Sequence, residues 1–143
     1  MNNKLEEKLL LLRAKRYFDK IHGIENTIMS LSNEKEFQWH KEICRNILRD
    51  KEKPEFKLNL PLKEEDVCSH VRSKIHIGED YNYYMFFEGI VVFSFNIINL
   101  DEFISSCHAL KRTFDICLLL LNPMRVIYMS EEEYELSIFD ISA

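Results

Sequence analysis

One run in this chain leaves a fold little choice. Ile116–Leu121 (ICLLLL) is continuously apolar and is closed by Asn122 and Pro123. A run of that length with no polar side fits a strand covered on both faces, so it predicts the centre of a sheet. Such a strand needs neighbours at both edges and layers above and below, and the flanking sequence has the residues to supply them. Tyr83–Phe87 and Ile90–Ile97 are aromatic and β-branched, with Glu88 and Gly89 between them. That spacing predicts a hairpin, with a bulge in one longer strand as the alternative. Arg125–Met129 and Tyr134–Ile141 predict two more strands, the second alternating with Tyr134, Leu136 and Ile138 inward and Glu135 and Ser137 outward. Phe139 and Ile141 have the opposite parity, so the strand either bulges near Asp140 or ends covered on both sides.

Helices frame these strands. Asn99 and Glu102 stand at capping-box distance, and Leu100, Phe103, Ile104 and Cys107 then share one face, which predicts a helix ending near Arg112. A first helix is expected from Lys4 to about His22, with Leu10, Ala14, Tyr17, Phe18 and Ile21 on its buried face, Leu5, Leu9 and Leu12 widening it, and Gly23 as its stop. Ile24–Leu31 reads as a short helix or a packed loop. Asn33 and Glu36 predict a capped helix from about Glu34 to Arg49, buried through Phe37, His40, Ile43, Cys44, Ile47 and Leu48. Phe56, Leu58, Leu60 and Leu62 alternate as a strand that Pro61 confines to an edge or a strand end. Val67, Val71 and Ile75 predict a short helix within Lys63–Ile75, with Glu64, Glu65 and Asp66 where the helix dipole favours them. The expected fold class is α+β: residues 1–143 as one domain, with amino-terminal helices on one face of a mostly antiparallel sheet and one further helix inserted between strands.

Composition narrows the function classes. With 46% hydrophobic residues and only three Gly and three Pro, the chain is neither disordered nor a loop-rich secreted scaffold. No apolar run approaches the length of a membrane span and the amino terminus is charged at Lys4, Glu6, Glu7 and Lys8, so a cytoplasmic protein without a membrane partner is expected. The four cysteines have no regular spacing and are expected to be reduced. The net charge of −5 is uneven, with thirteen basic against ten acidic residues in 1–57 and six against fourteen in 58–143. An acidic sheet half repels nucleic acid and attracts a basic protein surface.

The chain carries no glycine-rich phosphate loop, GxSxG, HExxH or DxDxDG motif. No cofactor or metal is expected. His40 and Cys44 have the i, i+4 spacing of metal ligands, with Cys68 and His70 as conceivable completing pairs, but an apolar helix face makes a core imidazole and thiol the stronger reading. Cys107 and His108 are adjacent on a helix, about 100° apart, and cannot face each other as nucleophile and base. Glu131, Glu132 and Glu133 form a contiguous acidic run that reads as solvated charge rather than a cation site. With Glu135 and Asp140 they are the candidate partner-binding residues. Glu79, Asp80, Tyr81 and Tyr83, together with Tyr84, form a second candidate, either a protein-binding surface or sheet residues beneath the helices.

The DICLLLL strand and the RVIYMSEEEYELSIFDI ending resemble small immunity proteins of bacterial contact-dependent inhibition and polymorphic toxin systems. The likeness covers the final part of the chain. It implies a cytosolic, non-enzymatic inhibitor that binds the toxic domain of a delivered effector, often a basic nuclease. The expected function is therefore a protein-binding module for a cationic toxin domain, of undetermined oligomeric state. The alternative is a small hydrolase or nuclease using Glu131–Glu133 with His108 or His76.

Overall fold

The computed structural model describes residues 4–33 and 35–143. Its elements are α1 (Lys4–Phe18), β1 (Ile24–Leu31), α2 (Gln38–Leu48), β2 (Phe56–Asn59), α3 (Glu64–Val71), β3 (Tyr83–Phe87), β4 (Val91–Ile97), α4 (Leu100–Lys111), β5 (Ile116–Leu121), β6 (Met124–Glu131) and β7 (Glu135–Ser142). The strands form one seven-stranded sheet in the order β1-β4-β3-β5-β6-β7-β2. Every pairing is antiparallel. The class is α+β, and the apolar run ICLLLL does occupy the central position, fourth of the seven strands.

Local signals place several joints. Glu88 and Gly89 both have positive φ (52° and 69°) in the three-residue turn between the paired Phe87 and Val91, so the bulge alternative is discarded. Asn99 Oδ1 accepts the Glu102 N–H at 3.0 Å and starts α4 as the cap spacing requires. Gly23 does more than end a helix. Its carbonyl accepts the N–H groups of Ile98 and Asn99, and a Cβ there would lie 2.3 Å from Asn99 O, so only glycine lets the chain before β1 meet the start of α4.

Long-range pairing overrules other expectations. Ile24–Leu31 is neither helix nor loop but an edge strand on β4, and its register slips between Glu25 and Ile28, where Asn26 takes φ 55°. The bulge breaks the two-residue alternation that would have marked a strand. The first helix stops at Phe18, four residues short of His22, and Leu5, Leu9 and Leu12 stay exposed instead of widening the buried face. The third prediction corrected is α2. Glu34 lies outside the described residues; the helix begins at Gln38, Phe37 has no side-chain cap bond, and Asn33 Oδ1 accepts from Lys35 N–H instead of capping it. The strand after Pro54 ends at Asn59, before Pro61, at the sheet edge.

The helices also do not share one face. Phe18, Val67, Val71, Phe103 and Ile104 from α1, α3 and α4 pack with Tyr83, Phe93, Phe95, Leu118, Met129 and Ile138 into the larger core. Phe37 and Ile47, beside and on α2, pack with the alternate strand residues Val92, Leu119, Val126 and Phe139 on the other face. Strand parity decides the matter: Leu136 and Ile138 point to the first layer, Phe139 and Ile141 to the second. The parity change in the last strand is thus double coverage, since its register with β6 is unbroken from Leu136 to Ser142.

Candidate functional site

The β6–β7 hairpin carries most of the predicted acidic residues, and its two ends are built differently. At the tip, the Glu131 N–H donates to Asp115 Oδ1 at 2.7 Å, and Glu131 Oε1 accepts the Phe114 N–H at 3.0 Å. Glu131 is therefore a strut between β6 and the segment entering β5, not a free loop carboxylate. The Glu132 N–H donates to Glu135 O at 2.8 Å and the Leu60 N–H donates to Tyr134 O at 2.9 Å, closing a short loop and tying it to the chain leaving β2. Glu132 and Glu133 are exposed. Glu135 lies 3.9 Å from Lys57, a loose pair that salt screens readily.

Tyr134 stands among these carboxylates with 73% of its surface exposed. The strand alternation, carried back to residue 134, predicts an inward ring. The strand begins only at Glu135, so the alternation does not reach the tyrosine. Its signal was there as an aromatic residue inside EEEYE, where strand burial is improbable on charge grounds alone.

Asp140 belongs to the far end of the same ribbon. Its carboxylate accepts from Arg125 Nε at 2.7 Å and Nη2 at 2.8 Å, and from Lys74 Nζ at 3.2 Å, while Lys74 also reaches Glu55. Its side chain is only 13% exposed. The Arg125 hydrogen bonds, opposed by burial and reinforced by Lys74, hold its carboxyl below the usual range. A carboxylate so neutralised adds little to the outward field.

Glu79 and Asp80 are exposed, but they lie in the connection preceding β3, and Asp80 lines a hollow with Leu121 and Asn122 at the end of β5. That is the opposite end of the sheet from Glu132 and Glu133, about 23 Å away along the eight residues of β6. The candidate residues therefore do not form one surface. Tyr83 is not a surface residue either. It is fully buried, its hydroxyl accepts the His76 N–H at 2.8 Å, and burial raises its phenol above the ordinary value. Tyr84 packs on Phe37 from the other face, and Tyr81 stacks on His76 at 4.1 Å. The aromatic run points three ways because strand neighbours alternate and Tyr81 precedes the strand.

The conceivable metal set is split by the sheet. His40 is fully buried on the inner side of α2, donating from Nε2 to Leu120 O at 2.6 Å, while Cys68 and His70 sit on α3 across the sheet. Among the described residues no three His, Cys, Asp or Glu side chains gather as metal ligands would. Cys44 instead meets Cys117, Sγ to Sγ 3.6 Å, a contact between positions 73 apart that spacing did not reveal. His108 Nδ1 lies 3.1 Å from Glu64 Oε2, and its ring stacks on Phe114. Among the described residues no helix is long and apolar enough to cross a membrane. Comparison with family models, curated proteins and solved structures gives no match for this chain.

Proposed function

We propose that the chain is a non-enzymatic protein-binding module, an immunity-type inhibitor whose β6–β7 tip docks on a cationic toxin domain. The observation that carries this reading is Tyr134, an exposed ring flanked by Glu132, Glu133 and Glu135 on a tip held by backbone bonds. An exposed tyrosine is an anchor of the kind that dominates protein interfaces, and carboxylates around it steer a basic partner and fix its orientation. A rigid tip loses little freedom on binding, so more of the contact energy appears as affinity. Cytoplasmic residence and the absence of a catalytic role belong to the same proposal.

The test is capture from the native host. Tagged wild type should retain a basic protein or domain, ideally the product of a neighbouring gene encoding a large secreted protein with a variable carboxyl-terminal domain. Tyr134→Ala, with unchanged circular dichroism, should lose it. Retention of the same partner by this variant would move the docking surface away from the tip.

A hydrolase is the second reading, and one observation favours it: the His108–Glu64 pair has the geometry of a base and its orienting carboxylate. Phe114 links this pair to the tip, since its ring stacks on His108 while its N–H donates to Glu131. Toxin neutralisation that survives His108→Gln would set the hydrolase aside; loss of a measured hydrolysis would support it.

A further inference from the structure

The face of the sheet covered by α2 retains a cleft of about 510 Å³ between that helix and strands β3, β5 and β6, a size that suits a small molecule. Cys44 and Cys117 meet in its wall, with Lys41, Arg45 and Lys111 around them. None of the described lining residues is acidic. Lys41 donates to Gly89 O at 3.0 Å and lies 4.6 Å from the centre of the Phe86 ring, while Lys111 donates to Asp115 O at 3.1 Å. Carbonyls and a ring orient these ammonium groups without cancelling their charge. The cleft thus places two thiols in contact beside three cationic side chains, with the Asp115 carboxylate just outside acting on Tyr128 in the same wall.

The two thiols are not equivalent. The contact with Cys117 lowers the Cys44 thiol below its usual value against the opposing effect of burial, and Arg45 adds to the lowering. The same contact, and then burial, pushes Cys117 well up. Of the two, Cys44 is the more readily deprotonated and Cys117 the one that keeps its proton. Cys68 and Cys107, by contrast, are pushed up to about 12 by burial and stay inert thiols.

We propose that Cys44 and Cys117 form a redox dithiol whose substrate is a small anionic disulfide, drawn into the cleft by Lys41, Arg45 and Lys111. The Cys44 thiolate attacks one sulfur of the substrate, forming a mixed disulfide and expelling the other half as a thiolate. Cys117 then releases its proton to water and attacks Cys44 Sγ; the bond to the remaining half breaks and a second thiolate leaves. Two protein thiols are oxidised by two electrons and one disulfide is reduced to two thiols, so the exchange balances. Closing the bond needs the sulfurs to approach by roughly 1.5 Å from their 3.6 Å separation. The product ties α2 to β5.

The full chain, reduced, is mixed with each of three disulfides of similar size: 3,3′-dithiodipropionate, 2-hydroxyethyl disulfide and cystamine. Each rate is divided by that of the same disulfide with N-acetylcysteinamide, which removes leaving-group differences. The dianion should then exceed the neutral compound by about tenfold or more, with the dication slowest, and the spread should collapse in K41Q/R45Q/K111Q. Peptide mapping should find the Cys44–Cys117 link, while Cys117→Ser should stop at the Cys44 adduct. Equal normalised rates overturn the proposal, as do adducts on Cys68 or Cys107 in the native protein. If Cys117→Ser does not fold, the wild-type charge series and mapping decide alone, and absence of the cross-linked peptide overturns the proposal.

Discussion

The two ends of the β6–β7 ribbon put side-chain carboxylates to opposite uses. Asp140 is enclosed by Arg125 and Lys74, and its charge is spent inside the molecule. Glu132 and Glu133, at the other end of the same two strands, are exposed, and among the described residues their side chains have only a weak internal claim, a 3.5 Å bond from Ser137 to Glu132. A carboxylate whose field is satisfied internally stabilises the fold, whereas one left open to solvent is available to a partner. Sequence proximity grouped Asp140 with the glutamates; geometry separates them.

The largest effect should come from breaking the closed end. Asp140→Ala leaves Arg125 and Lys74 poorly solvated with no common partner and should cost about 2–4 kcal/mol in urea unfolding, below the full range for a buried pair because each group keeps some exposure. The pH dependence has a definite sign. Asp140 has a folded-state pKa below its ordinary value of 3.8, so its stabilisation is fully present above that value and is lost as pH falls through the lower folded pKa. Asp140→Asn should flatten the acid limb of a stability-against-pH curve. An unchanged limb would show that the cluster holds no such linkage.

At the open end the largest effect should be on binding. If the tip docks on a cationic domain, Tyr134→Ala should weaken that association by about 2 kcal/mol, as loss of an aromatic anchor does, while shifting the unfolding midpoint little because the ring is exposed. Calorimetric titration beside thermal melts separates the two. Between the extremes stands Glu131. Glu131→Ala removes the acceptor of the Phe114 N–H and should cost about 1–2 kcal/mol of stability, whereas Glu131→Gln keeps an acceptor oxygen and should cost less. Equal losses in the two variants would show that charge, not the hydrogen bond, fixes the strut.

What the sequence disclosed follows the range of each interaction. The Glu88–Gly89 turn, the Asn99 cap and the doubly covered ICLLLL strand are written in a few adjacent residues, and all are present. Ile24–Leu31 was illegible because its strand character depends on pairing with residues about 70 positions away and its bulge erases the alternation. The position of α2 on the opposite face was equally hidden, since its apolar stripe fits either side of a sheet that is buried on both. The same limit governs the sites. Cys44 meets Cys117 only because α2 crosses that second face, and Tyr83 is buried only because its strand places it beneath the helices.

The smallest expected effect on stability is also the one that tests the open end most directly. Glu132→Gln with Glu133→Gln preserves size and removes two exposed charges, so the unfolding free energy should stay within about 0.5 kcal/mol of wild type. If the tip steers a cationic domain, association should slow several-fold at low salt while dissociation changes little, because long-range attraction acts before contact. Raising ionic strength to about 0.15 M shortens the screening length to about 8 Å and should shrink the difference between wild type and variant. Stopped-flow association at two salt concentrations measures both quantities. A variant that associates as fast as wild type at low salt would place Glu132 and Glu133 with ordinary solvated surface and leave Tyr134 as a contact without steering.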